Sequence, residues 1–405
     1  MIDFEQEQSM VTPAVRISVL GVGGAGGNTV NALLATRYEN VSCVTVNTDL
    51  KALEVSRTPV KLQIGIKSAR GLGAGANPEL GRRAAEEDLA EILESVKGSD
   101  IVFLTGGLGG GTGSGALPVI ARALKERDLL CIAVVTKPFS FEGKRRMKVA
   151  EDAELLLKKE VDTLITIPNE KLLTMTDAKL SLVHAFEMVN DIIADFVKSV
   201  ADIIAKPGYI NVDFADVKAI MKGMGLAVMG TGRGQGADRA IQAAQAAIAS
   251  PLLDNVSIKG ARSVLINVTG SADLGLLEVS QAASLITAQA HEDANVILGS
   301  VIDDTMHDEV SVTVIATGFS PMMMVEKVAT KIAEKEMVSE QPAVVCAEKV
   351  DAQDVPVMTS KHPLQDILLD SKDMASVHRR ENDLEVPTLL RKMIQEKRLQ
   401  EKELK

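Results

Sequence analysis

The chain has no tryptophan, two tyrosines and eight phenylalanines among 405 residues, so aromatics make up only 2% of it. A base-stacking platform for single-stranded nucleic acid needs more π-faces than that. Cations are also outnumbered: 44 Lys and Arg stand against 55 Asp and Glu, a net charge of −11. General DNA or RNA binding relies on clustered cations that neutralise phosphates, so no nucleic-acid partner is expected. Only three cysteines occur, Cys43, Cys131 and Cys346, with no CxxC pair. Two of them lie in apolar runs, which marks small core residues in a reducing compartment. The five histidines are scattered, without HExxH or other ligand spacing, so no protein-built metal site is expected. The amino terminus, MIDFEQEQSM, is acidic and polar where a secretion signal is basic and then apolar. No run approaches the ~20 apolar residues of a membrane-spanning helix. A cytoplasmic protein without direct membrane insertion is the expectation.

What is present is length for two or three domains at ~150 residues each, and glycine in clusters. After a flexible segment over 1–12, VRISVLGVG (Val15–Gly23) is a β-rich apolar run ending in glycines. Similar runs recur at Val41–Val46, Asp100–Thr105, Leu130–Thr136 and Val161–Ile167, separated mostly by segments of helical period. Leu89, Ile92, Leu93 and Val96, for example, fall at i, i+3, i+4 and i+7. Near-continuous apolar strands alternating with helices predict an α/β fold, a parallel sheet covered on both faces. Ligands of such sheets bind at the carboxyl ends of the strands, where the glycines sit. A helix over roughly Ala178–Ala205, closed by Lys206-Pro207-Gly208, is long enough to span between domains. Beyond it, strands near Gly225–Met229, Ser263–Thr269, Ala294–Ile302 and Val310–Thr317 alternate with helices at about Ala237–Ala249 and Ala272–Ala290, a second α/β unit. From Phe319 the periodicity weakens, which suggests a linker.

The first glycine cluster, Gly21-Val22-Gly23-Gly24-Ala25-Gly26-Gly27-Asn28, satisfies GxGxxG between a strand and a helix. Such glycines let phosphate oxygens approach backbone N–H groups where the helix dipole favours anions. Asp49, after the second strand, stands at the distance of a ribose-binding acid, so an NAD-dependent dehydrogenase is one reading. A tight turn without a ligand is the plainer one. The second cluster, GGLGGGTGSG (Gly106–Gly115), puts seven glycines directly after the strand IVFLT. A dinucleotide-binding domain has no use for another such loop. Each ordered glycine costs ~1 kcal/mol relative to alanine in regular structure, so the cluster implies a ligand pressed against the main chain. Thr112 and Ser114 add hydroxyl donors, and Pro118 suits a first helical turn. A flexible linker fits poorly between an apolar strand and a helix. No GxxxxGK[ST] occurs, so backbone N–H groups would hold phosphates without the P-loop lysine.

GGLGGGTGSG closely resembles the tubulin signature loop, and the chain as a whole resembles the FtsZ family, the bacterial tubulin homologues that assemble the cell-division ring. The resemblance runs from about Val15 to Gly318 and reappears near the C-terminus. It includes RGLGAGANPELG (Arg70–Gly81), TKPFSFEGKRR (Thr136–Arg146), IPNEKLL (Ile167–Leu173) and NVDFADVKAIM (Asn211–Met221). It implies a tubulin-like fold: a GTP-binding domain over 13–178, a central helix over 179–206 and a smaller α/β activation domain over 207–318. A linker over 319–382 and a partner-binding peptide over 383–405 follow. It further implies GTP or GDP as ligand, with Mg²⁺ as phosphate partner and no protein ligand that can be named. The nucleotide would be held by Gly24, Ala25, Gly26, Gly27 and Asn28 of the first loop and by Gly110, Gly111, Thr112 and Gly113 of the signature loop. Gly75, Ala76 and Asn77 would lie beside the terminal phosphate.

Phe141-Glu142-Gly143-Lys144-Arg145-Arg146 puts three cations at a helix start, against the macrodipole, and such a local conflict often flags a site. By resemblance Glu142 contacts the ribose and Arg146 reaches the nucleotide, whereas Lys144 and Arg145 read equally well as solvated charges. Guanine presents adjacent N–H donors on one edge, which a carboxylate can accept. Asp191 matches the family's guanine-reading acid, with Phe186 packing on the base and Asn169 a second polar contact.

Asp213 and Asp216 are three apart and share a face if helical. By spacing alone, Asp-x-x-Asp opening a helix reads first as a capping arrangement. By resemblance this segment, with Asn211, enters the site of the next subunit, and its acids position the attacking water. The implied activity is GTP hydrolysis in a head-to-tail homopolymer that forms the cytokinetic Z ring. A tubulin-like filament for plasmid or DNA partition is the alternative. The tail Asp383–Lys392 resembles the family's division peptide, and Val386, Leu389, Leu390, Met393 and Ile394 form one apolar helical face. Membrane-tethering and regulatory division proteins are therefore the partners expected for 383–394. Two positions depart from the family pattern. Gly223 stands where Glu is common, and Leu117 replaces a small residue after the signature loop.

Overall fold

Short runs of β-branched and apolar residues make the strands of the first half, and most turn directly into helices. In chain order these are β1 (Ile17–Val22), α1 (Gly23–Ala35), β2 (Val41–Asn47), α2 (Leu50–Val55), β3 (Val60–Gln63), α3 (Pro78–Glu87) and α4 (Leu89–Ser95). Next come β4 (Ile101–Gly107), α5 (Gly111–Lys125), β5 (Leu130–Lys137), α6 (Lys144–Glu160), β6 (Thr163–Pro168), α7 (Asn169–Leu172) and α8 (Leu182–Ala205). The second half contains α9 (Phe214–Met221), β7 (Gly225–Gln235), α10 (Arg239–Ile248), β8 (Ser263–Gly270), α11 (Leu276–Thr287), β9 (Asn295–Ile302) and β10 (Glu309–Thr317). The computed structural model describes residues 15–36, 41–172, 181–206, 210, 212–253 and 258–319. Asn211, the region from 320 onward that holds most of the expected linker and all of the tail, and the expected start of the central helix at 178 lie outside them.

Ten strands form one sheet in the order β3-β2-β1-β4-β5-β6-β7-β10-β8-β9. From β3 to β7 every pairing is parallel, as the continuous apolar runs predict. β10 then runs antiparallel to both β7 and β8, while β9 is parallel to β8. The second unit is therefore a mixed sheet. One face of the parallel part is covered by α1 and α8, with Val30, Leu33, Ile193, Phe196 and Val200 in a common core with Val19, Phe103 and Ile132. The other face carries α3 to α6, through Ala84, Ile92, Leu117, Ile120 and Leu157. Leu265 and Ile315 of the second unit join the core along α8, so this helix packs on both units. Phe103 and Phe196 meet edge to face at 6.2 Å within it. Cys43 and Cys131 are buried, and burial pushes the Cys43 thiol up to about 11 and Cys131 further, as befits inert core residues.

Three differences from expectation have plain causes. α2 and β3 are not anticipated, because β3 is a four-residue edge strand in which only Leu62 is buried, too short for a periodic signal. β7 runs on to Gln235 instead of stopping near Met229, since Gly230, Gly232 and Gly234 depress strand propensity while packing against α10. α10 and α11 are shorter than the alanine-rich segments that suggest them, which extend into turns at both ends.

Candidate nucleotide-binding site

The strand order β3-β2-β1-β4-β5-β6 reverses direction between β1 and β4, the switch point where doubly wound sheets bind ligands. Register places the two glycine clusters side by side there, pairing Gly21 with Thr105 and Val22 with Gly106. α1 and α5 thus begin next to each other, and a Cβ added to Gly23 would lie 3.3 Å from Gly113 N. Neither helix has a side-chain cap or an acid in its first turn. Their first N–H groups lack intrahelical partners, and both dipoles present partial positive charge to the same place. Such an arrangement of main chain is suited to an anion.

The glycines divide into two kinds. Gly111 lies against Ala74 and Asn77, Gly113 against Gly107 O, and Gly115 against Pro78 O, where an added Cβ would sit 2.0 Å away. Gly26 faces Thr105 O at 2.5 Å and Gly106 faces Val22 O at 2.8 Å. These glycines let helices and strands touch, α5 against α3 above all, so the clustering by itself does not signal a ligand. Gly24, Gly75 and Gly110 are different: an added Cβ would meet nothing within 4 Å. They come from the first turn of α1, the 70–77 loop and the cap of α5, and each leaves open space beside its backbone. Ser114, expected as a donor, is buried and accepts from Gly109 N at 2.9 Å. The Thr112 and Thr48 hydroxyls share a hydrogen bond at 2.7 Å.

Beside these helix starts lies an open cleft. Ala25, Asn28, Gly107, Thr136, Glu142, Arg146, Asn169, Phe186 and Asn190 are among its walls. Asn169 is 5% exposed and its Oδ1 has no hydrogen-bond partner among the described residues, an acceptor oxygen left for a ligand donor. Glu142 accepts from Phe139 N at 2.8 Å with Oε1 and pairs through Oε2 with Arg146 at 2.6 Å. Phe186 meets buried Phe139 edge to face at 5.4 Å, and Phe139 stacks on Phe141 at 5.0 Å, so three of the eight phenylalanines gather at one wall. A larger cleft lies at the opposite end of β1 and β2, lined by Val15, Arg16, Val41 and Ser42. Those are the amino ends of the strands, where the switch-point geometry offers no helix N-termini.

Asp191 does not line the cleft; Asn190 does. Phe186, Val189, Asn190 and Ile193 stand at i, i+3, i+4 and i+7 on one face of α8. Residue i+5 is turned about 140° from that face, at 3.6 residues per turn, and Asp191 is accordingly exposed. Asn190 Oδ1 lies 3.2 Å from the Thr29 hydroxyl, which can donate to it or to Ala25 O. The helical spacing from Phe186 is the signal that points to Asn190.

The loop over 70–77 holds Arg70 and Ala76 at positive φ, 53° and 57°. It brings exposed Gly75, Ala76 and Asn77 to the start of α3, where Asn77 Oδ1 accepts from Glu79 N at 3.1 Å. Asp49, the candidate ribose acid, instead caps α2, accepting from Lys51 N at 3.0 Å. Asp213 and Asp216 sit at the start of α9, both exposed. The capping arrangement is real: Asp213 Oδ1 accepts from Asp216 N at 2.8 Å. Neither residue lines the cleft of its own chain. α8 runs from Phe186 in the cleft to Ala205 beside the amino ends of β1 and β2, a span of ~30 Å at 1.5 Å per residue.

A model of the Tubulin/FtsZ family GTPase domain matches residues 16–177, and one of the FtsZ family C-terminal domain matches residues 225–320. The chain belongs to the Tubulin/FtsZ family. It is 48% identical over 305 residues to the cell division protein FtsZ of Magnetospirillum gryphiswaldense, covering 75% of this chain and 54% of that protein. It is also 48% identical over 303 residues to the FtsZ of Caulobacter vibrioides, covering 75% and 60%. The chain thus spans a little over half the length of these relatives. Among solved structures, an empty FtsZ dimer of M. jannaschii superposes with a TM-score of 0.72 at 42% identity, over 75% of this chain and 88% of that one.

As a Tubulin/FtsZ family member the chain has no place for the dehydrogenase reading, which Asp49 in its capping role also fails to support. The two departures from the family pattern have local reasons. Gly223 has φ +70°, a conformation glutamate adopts only with strain, and its N–H donates to Asp162 at 3.2 Å. Leu117 is fully buried and fills the space left by Gly106, whose added Cβ would lie 3.0 Å from its Cδ1. Among the described residues, no group of three or more His, Cys, Asp or Glu could hold a metal ion. None of the described helices is long and apolar enough to cross a membrane.

Proposed function

We propose that the chain binds GTP in this cleft and hydrolyses it within head-to-tail filaments that serve bacterial cell division, in the cytoplasm at the division site. The observation that carries this reading is the separation along α8. The anion site and cleft occupy one end of the sheet, and the exposed Asp213 and Asp216 follow the other end of the helix. A chain so built cannot bring its own acids to its own nucleotide. A second copy stacked on the first can, and because unlike faces meet, the contact repeats without closing. Exposed apolar side chains support the stacking: Leu72 in the 70–77 loop, and Leu276, which shares a groove with Ile210 just before Asp213.

The N-termini of α1 and α5 hold the phosphates through backbone N–H groups, with Gly24, Ala25, Gly26, Gly27, Asn28 and Gly110 to Gly113 lining the approach. Gly75, Ala76 and Asn77 lie toward the terminal phosphate. Asn169 Oδ1 accepts from the N–H edge of guanine, a donor that adenine lacks at this position, and Asn190 supplies a second amide. Phe186 packs on the base, while Glu142 and Arg146 flank the ribose. Mg²⁺, when present with the nucleotide, would supply neutralisation of phosphate charge. The Asp213 and Asp216 carboxylates of the next subunit, with Asn211 of the same segment taking part, orient a water for in-line attack, since phosphoryl transfer depends chiefly on positioning and charge stabilisation. The 383–394 segment recruits membrane-tethering and regulatory division proteins through its apolar face.

Sedimentation with GTP and Mg²⁺, paired with phosphate release across protein concentrations, tests this. The expected result is pelleting with GTP, and turnover per subunit that rises above a threshold concentration. Turnover independent of concentration, or no pellet under any GTP condition, overturns it.

A further inference from the structure

The helix that carries Asp213 and Asp216 is fastened at its far end. α9 has only eight residues, and its last carbonyls have no intrahelical donors. Two buried threonines supply them, from different parts of the sheet. The Thr163 hydroxyl, at the start of β6, donates to Met221 O at 2.5 Å, and the Thr317 hydroxyl, at the end of β10, donates to Ile220 O at 2.9 Å. Thr163 is fully buried and Thr317 is 1% exposed. Just beyond, Asp162 accepts from Gly223 N at 3.2 Å and from Cys131 N at 3.0 Å, tying the turn to β5. An outer ion pair joins Lys222 to Asp128 at 2.7 Å, but the side chains are 47% and 76% exposed to water, where such pairs contribute little. The amino end of α9, by contrast, is capped among the described residues by its own Asp213.

We propose that Thr163 and Thr317 are positioning residues for GTP hydrolysis: by pinning the carboxyl end of α9 to β6 and β10 together, they fix where Asp213 and Asp216 meet the neighbouring subunit's nucleotide. Helix α9 is a short rigid lever, so a shift at its buried end moves both carboxylates together. Misplacement by about 1 Å is enough to cost ~100-fold in rate for reactions governed by positioning. The proposal rests on the GTPase reading given above.

The test uses the full chain with Thr163→Val, which keeps the shape but leaves Met221 O without its donor, and Thr163→Ser, which restores the hydroxyl. Thr317→Val and Thr317→Ser form a second pair, should the first valine variant fail to fold. GTP affinity of the monomer, the threshold concentration for pelleting and turnover per pelleted subunit are measured for each. The expected result is turnover lowered about tenfold or more in a valine variant, affinity and threshold within about twofold of the parent, and turnover recovered in the matching serine variant. Unchanged turnover in both valine variants, equal loss in valine and serine variants, or loss of GTP affinity alongside turnover overturns the proposal. A parent chain that never hydrolyses GTP sinks the GTPase reading and this inference with it. A hydrolysing parent with unaffected variants sinks this inference alone.

Discussion

Two glycine-rich regions of this chain use their glycines differently. In β7, Gly230, Gly232 and Gly234 alternate along the strand, and an added Cβ at each would fall 2.1–2.2 Å from a carbonyl oxygen of α10. Every one of those spaces is filled by protein. In the loops at the ends of β1 and β4, most glycines are filled in the same way, yet Gly24 and Gly110 look onto open space beside uncapped helix starts. Glycine density therefore marks close backbone approach, whether the approaching group is a helix or a ligand. Open space alone is no signature, since Gly223, Gly225 and Gly236 also have nothing within 4 Å of an added Cβ. The nucleotide site is distinguished by unfilled glycines beside uncapped helix starts, together with an Asn169 Oδ1 that has no partner among the described residues.

Substitutions can break this distinction. Gly232→Ala forces a methyl group onto the Ala243 carbonyl, and overpacking of this kind costs about 3 kcal/mol. Urea unfolding should show that loss, while the remaining folded protein keeps its nucleotide affinity; a loss under ~0.5 kcal/mol would contradict the filled reading. Gly110→Ala should do the reverse, leaving the unfolding free energy within ~0.5 kcal/mol but weakening GTP about 100-fold, or ~2.7 kcal/mol. Equilibrium binding to a fluorescent GTP analogue measures it. Asn190→Ala should weaken GTP about tenfold, whereas Asp191→Ala stays within about twofold, and equal effects would return the base contact to Asp191. Smallest is Gly24→Ala, which adds a side chain in a helical turn with nothing nearby. It should raise stability by about 0.5 kcal/mol while lowering nucleotide affinity, a pairing that a purely structural glycine would not give.

The parts of the fold legible in the sequence are those with a single strong cause. The runs at Val41–Val46 and Leu130–Thr136 are buried on both faces, so their composition alone marks them as strands. β3 and the second half of β7 escape for opposite reasons: one is an edge with a single buried side chain, the other is held by helix contacts that no strand propensity records. In the site, the glycine loops and the Glu142–Arg146 segment are legible because their residue types are out of place in ordinary elements. Asn190 as a wall of the cleft becomes apparent only once α8 is laid out at 3.6 residues per turn from Phe186. The threonines that fasten α9 are silent, because a β-branched residue in a buried strand needs no other explanation until the Met221 and Ile220 carbonyls are located.

The central claim is that one subunit's cleft is completed by another subunit's α9, and mixing two defective variants tests it most directly. Gly110→Ala impairs the cleft and keeps α9, while Asp213→Asn keeps the cleft and the helix cap but removes a carboxylate charge. Each alone should hydrolyse GTP poorly. Mixed in equal amounts, the Asp213→Asn cleft receives the intact α9 of Gly110→Ala, and turnover should rise at least about tenfold above either alone. A mixture that shows only the average of its two components would contradict the account.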